Sequence, residues 1–98
     1  MNYSIEFIAF YDSVELELLS ASAVNLWHLL LHINHKERGA MEFRVSSNAL
    51  KLHGNLSESS FQRAREELVA HGLVTYRSRG ANLAPIYRME RLYQIDTG

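Results

Sequence analysis

The segment Ser57-Glu58-Ser59-Ser60-Phe61-Gln62-Arg63-Ala64-Arg65-Glu66-Glu67-Leu68-Val69-Ala70-His71-Gly72-Leu73 spells out a helix together with both of its ends. Ser57 suits an N-cap, because its hydroxyl can accept an amide N–H that the first helical turn leaves without a carbonyl. Phe61, Ala64, Leu68 and Val69 then recur at three- and four-residue intervals and give the helix one apolar face. Gly72 falls where the chain must turn left-handed. Leu73 after it can fold back on Leu68 or Val69, the hydrophobic contact of a Schellman ending.

On the N-terminal side of this segment, Ser46 or Ser47 offers a cap for a brief helix that contains Ala49, Leu50 and Leu52 and closes at Gly54. Asn55-Leu56 then makes a tight turn between the two helices. Earlier still, Glu42-Phe43-Arg44-Val45 alternates as a strand of few residues does. On the C-terminal side, Val74 and Tyr76 alternate with Thr75 and Arg77. A long tip runs from Arg79 to Pro85, and in the return strand Tyr87 and Met89 point opposite to Ile86 and Arg88. A long helix precedes all of this: Ser20 or Ser22 caps it, Ala23, Leu26, Trp27, Leu30 and Ile33 share a face, Lys36 and Arg38 suit its C-terminal dipole, and Gly39 stops it. Before that, Ser4 caps an N-terminal helix in which Phe7, Phe10, Tyr11, Val14 and Leu18 form a stripe that Ile5 and Ile8 widen.

This order of helix, helix, short strand, short helix, turn, longer helix and hairpin is that of a winged helix-turn-helix. The fold expected is mainly α with a small β-hairpin wing, of the α+β class, with an extra N-terminal helix. Trp27 and Phe61 should meet in one core. The expected organisation is a single winged-helix domain over 1–98, with a helical extension over 1–19, the core over 20–92 and a tail over 93–98.

Composition narrows the function. Ninety-eight residues with 47% hydrophobic and 21% charged side chains make an ordinary small globular domain, with little room for an enclosed catalytic pocket. The absence of Cys removes disulfides, thiolate nucleophiles and Cys-ligated zinc, and fits a cytoplasmic setting. The N-terminus lacks a basic signal region, and the most apolar stretch, Ala23 to Ile33, is too short to span a bilayer, so no membrane partner is expected. Ser57, Ser59 and Ser60 are explained by capping, and no phosphate loop or paired acids can be named; the chain is not expected to be an enzyme or to need a cofactor. His28, His32 and His35 fall along one helix stripe, but a polar stripe opposite an apolar face needs no metal, and none is expected.

Charge is divided unevenly along the chain. Residues 1–42 carry Lys36 and Arg38 against six acids, whereas residues 43–98 carry eight Lys and Arg against five, which points to one face suited to an anion. With Phe61, Ala64 and Leu68 turned inward, Ser59, Gln62 and Arg63 face out of the candidate recognition helix, and each can bond a base edge or phosphate. Glu66 and Glu67 beside them oppose phosphate-driven binding. On the hairpin, Arg77 and Arg79 with Arg88 from the partner strand read as an anion patch with no acid nearby. Ser59, Gln62, Arg63, Arg77, Arg79 and Arg88 are therefore the candidate DNA contacts. Ile5, Phe7, Ile8, Phe10 and Tyr11 are the candidate oligomerisation residues, since a helix apolar on more than one side must bury the surplus, most simply against a second copy in a homodimer.

Several groups of residues also resemble a known family. Phe10-Tyr11-Asp12, Leu19-Ser20-Ala21-Ser22-Ala23, Leu26-Trp27-His28-Leu29-Leu30, Leu56-Ser57-Glu58-Ser59-Ser60, Arg63-Ala64-Arg65 and Gly72-Leu73-Val74 followed by Tyr87-Arg88-Met89 resemble the N-terminal domain of DnaD-like phage replisome organisers and related primosome components. The similarity covers nearly the whole chain, and its most specific part is the pairing of Tyr-Asp with Leu-Trp-His. It implies a winged-helix module in the initiation of DNA replication that self-associates, touches duplex DNA weakly, or both, beside other replication-initiation proteins. Such proteins usually continue into a second helical domain, whereas this chain stops at Gly98, so no helicase-loading role is carried over. The alternatives are a protein-protein assembly domain that does not read DNA and a transcriptional regulator on the same fold.

Overall fold

The computed structural model describes residues 3–13 and 19–90. Val14 and Leu18 of the N-terminal stripe, and the tail over 93–98, lie outside the described residues. The elements are α1 (Tyr3–Ser13), α2 (Ala21–Lys36), β1 (Phe43–Arg44), α3 (Ser47–Gly54), α4 (Glu58–Ala70), β2 (Val74–Arg77) and β3 (Ile86–Met89). The strands form one antiparallel sheet in the order β1-β3-β2, with Phe43 opposite Tyr87 and Tyr76 opposite the same residue from the other side. This is the winged helix-turn-helix expected, with α3 and α4 as the turn motif and β2-β3 as the wing.

Capping chooses between the alternatives the serines left open. Ser20 accepts from the Ala23 amide, Ser46 from Ala49 and Ser57 from Ser60, so Ser22 and Ser47 are not the caps. Ser4 lies within α1 and does not precede it. Three helices share one kind of ending. At α4, Gly72 is left-handed (φ 71°), the Leu73 amide donates to the Leu68 carbonyl and that of Gly72 to Val69, the paired bonds of a Schellman motif. At α2 the same pair is made by Gly39 to Asn34 and Arg38 to His35, and at α3 by Leu56 to Lys51 and Asn55 to Leu52. The left-handed turns begin at Arg38, with Gly39 (φ 70°) after it, and at Asn55, one residue past the Gly54 that ends α3 as expected. Gly54 serves packing instead: it is buried, and a Cβ there would come within 3.2 Å of the Leu56 side chain.

The core joins α2 to α4 and the sheet. Leu26, Trp27, Leu30 and Leu31 of α2 pack with Leu50 of α3, Phe61, Ala64 and Leu68 of α4, and Val74 and Tyr87 of the wing. Trp27 and Phe61 are both fully enclosed, as anticipated. Val69, expected on the inner face of α4, is half exposed instead; the turn of the helix carries it to the rim. Leu52 is likewise exposed at the end of α3. Glu67 fastens α4 to the start of α2, its carboxylate accepting from the Ser20 amide (3.0 Å) and hydroxyl (2.6 Å).

Helix α1 lies on α2 through rings. Phe10 is completely buried and stacks on Trp27 at 3.8 Å between centroids, while Phe7 stacks on His28 and Tyr3 meets His35 edge-on. The Tyr11 hydroxyl is 3.2 Å from His28 Nε2. Burial among these rings pushes the His28 imidazole below its ordinary value. Among the described residues no helix is long and apolar enough to cross a membrane.

Candidate nucleic-acid interface

The register of the helix fixes what α4 offers to a ligand. With Phe61, Ala64 and Leu68 inward, Ser59, Gln62 and Arg63 are exposed together along its outer edge. Gln62 is not idle there: its Nε2 donates to Glu58 at 2.8 Å, and Glu58 also holds Lys51 of α3 in an ion pair. Lys51 first, and Gln62 next, keep the Glu58 carboxyl below its ordinary value. The helix edge thus presents Arg63 as an exposed cation and Gln62 as an amide already oriented by a carboxylate. Glu67, read from sequence as a carboxylate opposing phosphates, is turned toward α2, where the two Ser20 bonds hold its carboxyl below the ordinary value. That removes one of the two objections to anion binding along this helix, while Glu66 stays exposed.

The wing departs from its reading in the opposite sense. Strand pairing sets Thr75 against Arg88 and Arg77 against Ile86, so Arg77 and Arg88 do share the outer face of the sheet, together with Arg44 of β1 opposite Ile86. They are not free of acids. Arg77 donates to Glu42 at 2.8 Å, and Arg88 lies 3.9 Å from Glu90. Arg77, and more weakly Arg88, keep the Glu42 carboxyl below its ordinary value. The expectation of a patch with no nearby acid overlooked Glu42, which lies 35 positions from Arg77 along the chain and is brought beside it by the β1-β3 pairing. Arg79 falls beyond the end of β2, and its Nε donates to the Ala84 carbonyl at 2.8 Å, bracing the wing tip across its own loop. An open groove of about 650 Å³ lies between this tip and the start of α3, walled by Ser46, Ser47 and Asn48 on one side and by Gly80, Asn82 and Pro85 among others on the other.

Two residues escaped the sequence reading. Arg65, on the flank of α4, places its guanidinium over the rings of Tyr76 (4.0 Å) and Phe61 (4.8 Å) and donates from Nη1 to the Tyr87 hydroxyl at 3.3 Å. Tyr87 was expected only as an inward wing residue, yet its hydroxyl is the meeting point of α4 and the sheet, and burial raises its pKa while the Arg65 bond opposes that. An Arg at the helix position next to an inward Ala, opposite a hairpin carrying two Tyr on one face, was the available signal.

Of the apolar residues assigned to self-association, Ile5, Phe7, Ile8 and Tyr11 are exposed, from 37% to 59%. Phe10 is withdrawn from that set. It has no surface left for a partner, because the stacked contact with Trp27 places it in its own core.

No protein-family model matches the sequence, and no curated protein matches it. Among solved structures, the chain is similar to one from a Rep-DNA complex, with a TM-score of 0.67 and 17% identity, over 90% of this chain and 74% of that one. At that identity the likeness is one of fold.

Proposed function

We propose that this winged helix binds duplex DNA weakly as a module of replication initiation, with the Ser59, Gln62 and Arg63 edge of α4 in the groove and the wing beside it. The observation that carries the reading is that edge: three exposed polar side chains on the second helix of a helix-turn-helix, beside which Glu67 is bonded away to Ser20 and Glu58 is engaged by Lys51 and Gln62, while Glu66 stays exposed. The fold shared with a chain of a Rep-DNA complex supports DNA as the partner, and the resemblance to DnaD-like organisers supports replication as the setting. Arg77, Arg79 and Arg88 are secondary contacts here, since each is engaged within the chain.

A salt series of binding to random duplex tests this. The logarithm of the association constant should fall linearly with the logarithm of salt, and Arg63→Ala should reduce that slope by about 1. Arg77→Ala should reduce it less, because Glu42 already neutralises the guanidinium, and Glu42→Gln should tighten binding if the outer face of the wing meets phosphate. Absence of binding at low salt rejects the reading.

A second reading is favoured by the exposed apolar side chains of α1: an assembly domain that pairs with its own copies. It predicts self-association by sedimentation equilibrium in a protein that shows no salt-dependent duplex binding.

A further inference from the structure

The angle between the recognition helix and the wing has an identifiable keeper. Arg65 leaves α4 on the flank between Gln62 and the core face and enters a junction built from three elements. Its guanidinium lies over the rings of Phe61 of its own helix and Tyr76 of β2, and its Nη1 donates to the Tyr87 hydroxyl of β3. Its Nε is buried without an acceptor among the described residues, so on that side aromatic faces hold the cation in place of an anion. Tyr87 in turn stacks with Tyr76 at 5.6 Å and with Phe43 of β1 at 6.2 Å.

A planar cation suits this place better than any other side chain. A guanidinium can stack on two rings by its faces while donating in its own plane, whereas an ammonium is a point charge with a stronger hold on water. A neutral apolar group would fill the space but leave the buried Tyr87 hydroxyl without this donor. The wing strands could then slide on α4 by small changes that the apolar contacts alone would tolerate.

We propose that Arg65 is a positioning residue for DNA binding: through Tyr76 and Tyr87 it sets the wing against α4, so that the helix edge and the wing tip meet the duplex together. This rests on the DNA reading above for its effect on affinity, but its structural half does not. Arg65→Lys keeps the charge and loses the planar fork; Tyr87→Phe keeps the ring and loses the acceptor. Both should weaken duplex binding by about five- to tenfold with an unchanged salt slope, and the double variant should be little worse than either alone. A slope reduced by about 1 in Arg65→Gln, which removes the charge, would instead mean that Arg65 itself meets a phosphate, and would overturn the proposal. So would single variants that bind as tightly as the parent.

The structural half is read without DNA. In amide NMR spectra of the two variants, the wing amides from Ser78 to Ala84 should shift and gain mobility while those in the middle of α2 stay in place. If the wing amides are unmoved in a folded Arg65→Lys protein, the positioning role is rejected even where the parent binds no duplex. A parent that binds no duplex while its wing responds to Arg65→Lys rejects the DNA reading and leaves the junction established.

Discussion

Helices α4 and α1 differ both in how apolar they are, with five of thirteen residues in α4 and seven of eleven in α1, and in what they leave uncovered. On α4, Phe61, Ala64 and Leu68 vanish into the core and the opposite edge is polar, with Val69 at the rim as the exception. On α1, Ala9 and Phe10 are buried, while Ile5, Phe7, Ile8 and Tyr11 remain exposed. The patterned helix has one orientation that satisfies it, because any rotation would bury Arg63 or expose Phe61. A helix apolar on several sides has no such preference in its sequence. It is oriented by particular contacts: the Phe10 ring on Trp27, and the Phe7 and Tyr11 rings about His28. A stripe therefore specifies α4 and ring geometry specifies α1.

The largest expected effects test that contrast directly. Trp27→Ala removes the ring that α1 and the core share and should cost about 3 to 5 kcal/mol, unfolding the whole molecule in one transition. Phe10→Ala should cost about 3 kcal/mol, at the low end of the same range, because one side of its cavity can be closed by a shift of α1. Chemical denaturation followed by far-ultraviolet dichroism gives the magnitudes, and hydrogen exchange locates them. Exchange in Phe10→Ala should rise in α1 and not in α4. If α4 loosens equally, the two helices belong to one cooperative unit and the contrast is broken.

The next effect concerns how α4 is fastened. Glu67→Ala removes both bonds to Ser20 and should destabilise by about 1 kcal/mol, the ordinary worth of a charge-assisted bond near the surface. Because those bonds hold the folded-state pKa of Glu67 below its unfolded value, their contribution is present above about pH 4.5 and fades as pH falls through the folded value. The parent and Glu67→Ala should therefore converge in stability at acidic pH. Divergence there would mean that Glu67 acts through packing and not through its charge.

How far these features were legible in sequence follows the same division. Ser57, the Phe61-Ala64-Leu68 spacing and Gly72-Leu73 carry local chemistry, and the α4 segment folded as they dictate. Gly54 ends α3 as its sequence suggests, but the first left-handed residues are Asn55 after it and Arg38 before Gly39, in a turn that glycine would accept more cheaply. Contacts distant in sequence could not be seen at all. Glu42 against Arg77 depends on strand order, Glu67 against Ser20 on how α2 crosses α4, and Arg65 against Tyr76 and Tyr87 on where the wing lands. Each of these changed the electrostatic reading of the candidate site, one by pairing a guanidinium with a carboxylate, one by turning a carboxylate toward neutral donors and one by setting a cation among rings.

Self-association should respond to the surplus on α1 without a matching loss of stability. Ile5→Ser with Ile8→Ser alters exposed positions and should change the folding free energy by no more than about 0.5 kcal/mol per site. Sedimentation equilibrium of the parent should show dimers in the micromolar range, and the variant should be monomeric. A parent that stays monomeric at high micromolar concentration removes self-association, as does a folded variant that still dimerises.

The smallest effect expected is a pH dependence carried by His28. Its folded-state pKa lies below the ordinary 6.5 because the imidazole is partly withdrawn from water between α1 and α2. Above that ordinary value both folded and unfolded chains hold the ring neutral, and pH has no leverage through it. Between the unfolded and the lowered folded value the unfolded chain binds the proton first, so stability falls as pH drops; below the folded value the loss is complete and the dependence levels off. The contribution stays small because the ring retains access to water and because a protonated imidazole gains some attraction to the faces of Phe7 and Phe10. Melting temperatures compared at pH 7.5 and 5.5, above the range in which the carboxylates titrate, should fall slightly more in the parent than in His28→Phe, which keeps an aromatic ring against α1 and cannot take up a proton. Equal falls in the two proteins would place the dependence elsewhere and leave α1 held by ring packing alone.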